Sequence, residues 1–416
     1  MAATPDEATA RRDDPAGREG AGRRPLVSRA FVLVLAASFA GITSFYLLLS
    51  VVPQYAARSG AGGVGAGLAT GALFFATTLA ELATPRLVSR WGYRPVFGAG
   101  LVLLGAPALA LGASTSLAAI AALCALRGVG LALIAVAGSA LVGFLPPAER
   151  RGEALGLYGV IVGAPAIVAL PLGLWLAAHV GYRPTFVAGG LSALVGLAVL
   201  PGEPAHAEPE AGAGVLAALR SPGLLMPSLA FLATAMASGV VITFAPLAVP
   251  AAAAGDAAVG LFLFAAGGVV FRWWAGRQAD RHPSRDLLRP SVAFAALGVA
   301  CLVLIDRRAA LLAGAALVGA AFGVAQNASI TLMFEAAPRS EYDSVSAIWN
   351  LAYDAGLGAG GAGFGVLAAR TGYPAGFALT AAFLLVALAA LWRSRCVVPS
   401  PGAAAARSEA VGAPRS

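Results

Sequence analysis

The chain has 416 residues, of which 59% are hydrophobic and only 12% charged, and its mean hydropathy is +0.81. A soluble domain carries roughly a quarter of its residues as charges, so this chain is too poor in charge to cover a water-facing surface. The formal charge of +8 does not point to nucleic acid, because the 28 basic residues, all arginine, are scattered singly between apolar runs instead of gathered in one patch. Cys124, Cys301 and Cys396 are odd in number and show no metal or redox spacing.

Residues 1–28 are polar, hold Arg11, Arg12, Arg18, Arg23 and Arg24 among acids, glycine and proline, and read as a disordered cytosolic tail. No small-residue cleavage site closes the first apolar run, which argues against a removed signal peptide. Apolar runs then follow at 29–53, 64–84, 95–114, 117–144, 153–178, 185–201, 224–250, 256–275, 288–305, 309–335, 342–368 and 373–392. A run of about 20 apolar residues is long enough to cross some 30 Å of hydrocarbon. Backbone groups there must be satisfied within the segment, so such runs are helices. The expected fold class is therefore all-α integral membrane, with 12 transmembrane helices in two six-helix bundles. Residues 29–201 form the first bundle, 202–223 a cytosolic linker, 224–392 the second bundle and 393–416 a disordered cytosolic tail.

Arginine placement sets the orientation. With the N-terminus in the cytosol, the outer loops hold only Arg58, Arg183, Arg307, Arg308 and Arg370, while Arg127 lies within a span and the others fall on the cytosolic side. Both termini are expected in the cytosol and the chain in the plasma membrane. The two halves also echo each other. Pro85–Arg94 faces Gly276–Arg285 at an offset of 191 residues (276 minus 85), and Gly181, Tyr182 and Phe186 face Gly372, Tyr373 and Phe377 at the same offset. Within the first half, Gly92-Tyr93-Arg94-Pro95 recurs as Gly181-Tyr182-Arg183-Pro184, three spans later and so on the opposite face, as nested inverted repeats would place it.

On these residues the chain resembles the major facilitator superfamily from about residue 29 to 392. The family's loop between spans 2 and 3 reads roughly G-x-L-x-D-R-x-G-R-R. The second-half copy keeps Gly276, Asp280, Arg281 and Arg285; the first-half copy keeps Leu87, Arg90, Gly92 and Arg94, with Pro85 and Ser89 where the family has Gly and Asp. Pro147–Gly156 is similar to the loop that enters span 5. Gly159, Gly163, Pro165 and Pro171-Leu172-Gly173 match in part the span-5 signature of drug–proton antiporters, with Ala164 interrupting the Gly-Pro pair. Arg127-Gly128 lies near the family's span-4 pattern, although Cys124 occupies the position four before Gly128.

The resemblance implies a cytosolic gate in which Arg90, Gly92, Arg94, Gly276, Asp280, Arg281 and Arg285 take part, with an Asp280–arginine latch. It also places spans 1, 4, 7 and 10 around a central cavity, where Thr43, Ser44, Tyr46, Thr234, Ser238, Thr243, Gln326, Asn327 and Ser329 become substrate-facing candidates, with Asn350 and Tyr353 of span 11 beside them. Many weak polar groups and few charges suit a neutral or amphipathic organic compound.

Charges inside a span are the most informative single residues, because each costs a few kcal/mol or more near the bilayer centre. Asp354 and Arg127 both fall near mid-span and are the proton-coupling candidates. The structural alternatives are a fixed Asp354–Arg127 ion pair, or Asp354 bonded to Asn350 and Tyr353 nearby. Glu81, Arg272 and Glu335 are expected at the cytosolic edge, where long side chains reach the headgroups, and His179 at the outer interface. Gly358, Gly360 and Gly363 spell G-x-G-x-x-G, yet a dinucleotide site needs a strand before it, so these glycines serve helix packing.

No H-x-x-H, H-E-x-x-H or G-x-S-x-G cluster suggests an enzyme, and three histidines are too scattered for a metal site. The expected function is secondary active transport: proton-coupled efflux of a small drug or secondary metabolite by a protein working as a monomer. Its partners are the substrate, protons and the lipid bilayer, with no cofactor, metal or nucleic acid. An importer of a sugar, organic acid or siderophore, and a non-transporting sensor on the same fold, are the alternatives.

Overall fold

The structure is a computed structural model that describes residues 28–145, 151–200, 222–250, 253–279, 283–337 and 342–393. The expected tails, most of the linker, Pro147–Arg150, Asp280 and Arg281 lie outside the described residues. The described chain is helical throughout: α1 Arg29–Leu49, α2 Val51–Ala56, α3 Gly62–Trp91, α4 Tyr93–Ala110, α5 Leu117–Phe144, α6 Arg151–His179, α7 Tyr182–Ala198, α8 Pro222–Ala248, α9 Ala254–Ala279, α10 Arg285–Cys301, α11 Arg308–Ala336, α12 Tyr342–Thr371 and α13 Tyr373–Arg393. Among the described residues, nine stretches are long and apolar enough to cross a membrane; one of them, Arg29–Trp91, contains both α1 and α3. The 17-residue α7 and the glycine-rich α12 are not among the nine, so apolarity alone does not return the expected twelve.

Local chemistry explains the helix ends. Ser28 caps α1, its side chain accepting from the Phe31 amide at 3.1 Å. Gly92, Gly181 and Gly372 each stand between two helices with φ of 82°, 101° and 78°. A side chain at such an angle meets its own carbonyl, so only glycine adopts it freely. The repeated Gly-Tyr pairs are therefore one device used three times: the glycine reverses the backbone and the tyrosine starts the next helix. Proline is less decisive. Pro85 lies inside α3, which continues to Trp91 and converts the expected loop at residues 85–91 into helix.

The loops define two faces. On one, Tyr55 donates to the Ser114 carbonyl (3.0 Å), Arg183 to the Gly112 carbonyl (3.1 Å), Arg58 lies over the Tyr182 ring, and Arg308 pairs with Asp256. This is the Gly60 face, after the tight turn of residues 57–61 between α2 and α3. The other is the Gly92 face. Gly92 and Gly181 thus lie on opposite faces, as the inverted repeat predicts.

Helices α1–α7 pack around one another, as do α8–α13, and the two bundles meet along two seams, α3 with α12 and α6 with α9. The 191-residue offset exchanges these seams, α3 corresponding to α9 and α6 to α12, so the pseudo-symmetry seen in the loops is carried into the packing. Along α3 and α12 the contact is backbone to backbone. A Cβ on Gly67 would stand 2.7 Å from the Gly361 carbonyl oxygen, and one on Gly365 would stand 2.6 Å from that of Gly63.

Two substitutions separate backbone strain from packing. Gly181→Ala is expected to lower stability by about 1–2 kcal/mol, because its φ is positive. Gly159→Ala, within α6 and with open space around its Cβ position, is expected to be neutral or to stabilise by up to about 1 kcal/mol. Thermal unfolding of the purified proteins in detergent measures both; equal effects would contradict the turn geometry.

Candidate functional site

The bundles are closed on the Gly60 side. Ser50, just beyond α1, donates to the Ile242 carbonyl of α8 at 3.0 Å, and Thr70 of α3 meets Thr243 of α8 at 3.1 Å. Toward the Gly92 face the gap opens. Val32, Ala36, Phe39, Thr43 and Tyr46 form one stripe of α1; the first three are exposed and the last two half-buried. The stripe ends where Tyr46 comes within hydrogen-bonding reach of Tyr353 on α12, so it faces the other bundle across the gap.

At that level lies a cluster drawn from five helices. Asp354 of α12, 3% exposed, is in hydrogen-bonding reach of Glu81 on α3. Arg272 of α9 is accessible and donates to Gln326 Oε1 of α11 at 3.4 Å, with Tyr46 and Tyr353 beside it. Behind Tyr353 runs a wall of nearly parallel rings. Trp349 and Tyr353 lie 6.2 Å apart at 6°, Phe231 and Trp349 4.7 Å at 17°, Phe322 and Tyr353 5.8 Å at 25°, and Phe264 and Phe322 6.2 Å at 20°. Phe231 is fully buried and Trp349 and Tyr353 are half-buried, so the latter two are the rings a ligand in the gap could touch. Trp349 is fixed in place by an Nε1–H bond of 3.0 Å to the Ser329 hydroxyl.

Arg127 does not belong to this cluster. It is fully buried inside the first bundle, donates to the carbonyls of Leu104 (3.3 Å) and Ser44 (3.4 Å), leaves its second terminal nitrogen without a hydrogen-bond partner among the described residues, and lines a small void with Cys124, Thr70 and Leu73. The Asp354–Arg127 pair is not formed; Asp354 faces an acid instead.

The cavity candidates divide in the same way. Tyr46, Gln326 and Tyr353 join the cluster, Thr43 lies on the gap-facing stripe, and Ser329 supports Trp349. Asn350 is half-buried one residue after Trp349, and Asn327, also half-buried, packs against Gly276. Ser44 turns into the first bundle. Thr234 and Ser238 are fully buried and donate to the Phe231 and Thr234 carbonyls of their own helix at 2.9 Å each, so they offer nothing to the gap. Thr243 belongs to the closed seam. Among the gate candidates, Arg90 and Arg94 are exposed beside Gly92, and Arg285 is exposed next to Asp286 at 3.7 Å, while Asp280 and Arg281 lie outside the described residues. Glu335 and His179 are exposed at helix ends as expected, the latter stacked on Trp175.

Glu81 and Arg272 correct the sequence reading. With α3 ending at Trp91, ten residues separate Glu81 from the helix terminus, a depth of about 15 Å at 1.5 Å per residue. Little in the sequence signals this, because Pro85, Arg86, Ser89 and Arg90 read as a loop. The ring wall was hidden because its members come from four separate helices; only the Trp349–Tyr353 spacing of one turn was visible.

This arrangement can hold a flat organic molecule against Trp349 and Tyr353, offer it Arg272 and Gln326, and keep a proton on the acid pair. Comparisons with known proteins identify the family. The model of the Major Facilitator Superfamily matches residues 33–360 and 228–414. The chain is 31% identical over 317 residues to a chloramphenicol resistance protein of Streptomyces lividans, covering 71% of this chain and 78% of that one. It is 30% identical over 145 residues to a tetracenomycin C resistance and export protein of Streptomyces glaucescens, covering 34% of this chain and 27% of that one. The fold is similar to the crystal structures of the nucleoside transporter NupG (TM-score 0.70, 11% identity, 87% of this chain and 99% of that one). It is equally similar to a bacterial homologue of the lysosomal transporter Spinster (TM-score 0.70, 15% identity, 87% and 95%).

If Tyr46 and Tyr353 face each other across the gap, Tyr46→Cys with Tyr353→Cys should be joined by a short bifunctional thiol reagent, and Ser44→Cys with Tyr353→Cys should not. Gel mobility after cleavage between the bundles reads the result; joining of the second pair alone would contradict the arrangement. The helical bundles, their inter-bundle site and these matches together make the chain a transporter of the Major Facilitator Superfamily.

Proposed function

We propose that this transporter exports a small aromatic compound of antibiotic type in exchange for protons, by alternating opening of the gap to either face of the membrane. The observation that carries this reading is Asp354: a carboxyl only 3% exposed, between the two bundles, with no basic side chain bonded to it among the described residues. A carboxylate withdrawn from water without a cation is costly, and taking up a proton removes that cost. A group that does so in one state of the gap and releases the proton in the other couples transport to the proton gradient. Each proton moving inward supplies about 2.3 kcal/mol per 100 mV.

The relatives support the direction, since both carry resistance names and one is called an export protein. The ring wall supports an aromatic substrate that stacks on Trp349 and Tyr353 and bonds Arg272 and Gln326. Arginine placement supports a plasma-membrane protein with both termini in the cytosol. Arg289 lies 5.0 Å over the Trp392 ring and Arg277 4.1 Å over that of Trp273, both toward the Gly92 face, where aromatic rings and guanidinium groups suit lipid headgroups. On this orientation the gap opens to the cytosol. The chain acts as a monomer, with Arg90, Gly92, Arg94, Gly276, Asp280, Arg281 and Arg285 at the cytosolic gate.

Inverted vesicles containing the purified protein, with labelled chloramphenicol as the first probe and an imposed pH gradient, test the reading. Accumulation should follow the gradient in the wild type and lose that dependence in Asp354→Asn. Accumulation in Asp354→Asn that still follows the gradient would remove Asp354 from coupling. Trp349→Ala should weaken probe binding about tenfold, the upper range for one lost aromatic contact.

A further inference from the structure

Asp354 does not stand alone. Glu81 and Asp354 come from different bundles, on the two helices that form the tightest seam between them. An ionised carboxylate only accepts hydrogen bonds, so two carboxyls can bond one another only when one of them carries a proton. Among the described residues no basic side chain is paired with either acid. Arg127 is directed to backbone carbonyls, Arg272 to Gln326, and the ion pairs among the described residues, Arg285–Asp286 and Arg308–Asp256, lie elsewhere.

The groups around the pair are few. Tyr46 approaches from α1, Tyr353 from α12 and Arg272 from α9. Helix α5, packed behind α3, brings Cys124 and Arg127, which line the void beside Leu73. Helix α8, packed on α12, has no titratable residue between Pro222 and Ala248. Nearer the Gly60 face the same two helices are held by glycine contacts that do not depend on protonation. At the level of the pair the polar side chains that meet across the two bundles are Tyr46 with Tyr353 and Glu81 with Asp354.

We propose that Glu81 and Asp354 hold one exchangeable proton between them, and that this proton ties α3 to α12, so that its release frees the two bundles to rock. The inference rests on the proton-exchange reading and gives it a stoichiometry of one proton per pair. On release, the O–H bond of the protonated carboxyl breaks, its electron pair stays on the carboxylate oxygen and a water molecule in the gap takes the proton. The two carboxylates then repel, and the seam opens at their level while the glycine contacts act as the pivot. Nothing is oxidised or reduced.

Infrared difference spectroscopy of the full-length protein in phosphatidylethanolamine–phosphatidylglycerol vesicles tests this without any substrate. The wild type should show one protonated-carboxyl carbonyl band that titrates as a single proton. Asp354→Asn and Glu81→Gln should each remove that band or move its titration, and exchanging the acids (Glu81→Asp with Asp354→Glu) should restore it. In inverted vesicles Glu81→Gln should lower gradient-driven chloramphenicol accumulation about tenfold, within the usual range of coupling between sites, and displace its pH profile; the exchanged pair should recover both. The proposal is overturned if Glu81→Gln leaves the band and the pH profile as in the wild type, or if the exchanged pair folds but restores neither. Failure of the wild type to transport the probe would sink the functional reading, while the infrared titration would still decide the pair.

Discussion

Close contact between glycine backbones on α3 and α12 is what brings the two bundles together. At Gly63, Gly67, Gly361 and Gly365 no side chain holds the helices apart. Four residues beyond Thr70 the wider Phe74 meets Gly358, and at Glu81 and Asp354 the spacing admits a pair of carboxyls. Without a hydrophobic drive between helices in lipid, such close packing is the main source of their association. A seam that is tight at one end and polar further along can act as a hinge, and the open gap toward the Gly92 face follows from it.

The rest of the site depends on what that seam leaves between the bundles. On the closed side the first bundle is tied to α8 by the Ser50–Ile242 and Thr70–Thr243 bonds, and further along α1 Tyr46 lies beside Tyr353. Arg272 stays accessible because α9 lines the open side, and it is oriented by Gln326 instead of being neutralised by an acid. One basic group, two acids and a stacked wall of rings are therefore presented to one space. Arg127, equally buried, is excluded from it by facing the carbonyls of its own bundle. It donates to the backbones of α1 and α4, through the Ser44 and Leu104 carbonyls.

The second bundle supplies most of the polar and aromatic side chains of the inter-bundle cluster, and the first supplies Tyr46 and Glu81. Trp349, Tyr353, Gln326 and Arg272 all follow the linker region, whereas the first bundle's buried polar groups, Ser44 and Arg127 among them, turn inward. This asymmetry sits on a pseudo-symmetric frame. The repeated loops preserve the fold in both halves, and the span interiors, where Gly-Tyr pairs and arginine loops impose nothing, have diverged.

Membrane residence, helical class, the two-bundle repeat and the family were legible in the amino-acid sequence, because hydropathy, arginine placement and the Gly-Tyr turns act locally and recur at a fixed offset. Asp354 was legible for a similar reason, since an isolated carboxyl in an apolar run is conspicuous wherever it points. Which group faces it was not legible. Glu81 looked peripheral because Pro85 read as a helix end, while α3 runs on to Trp91 and carries Glu81 inward. Ser44, Thr234 and Ser238 looked like cavity groups by depth, but depth along a helix does not specify the direction of a side chain. That direction is set by which helices lie alongside, a property of tertiary packing alone, and it was packing that paired the two acids and turned Arg127 away from them.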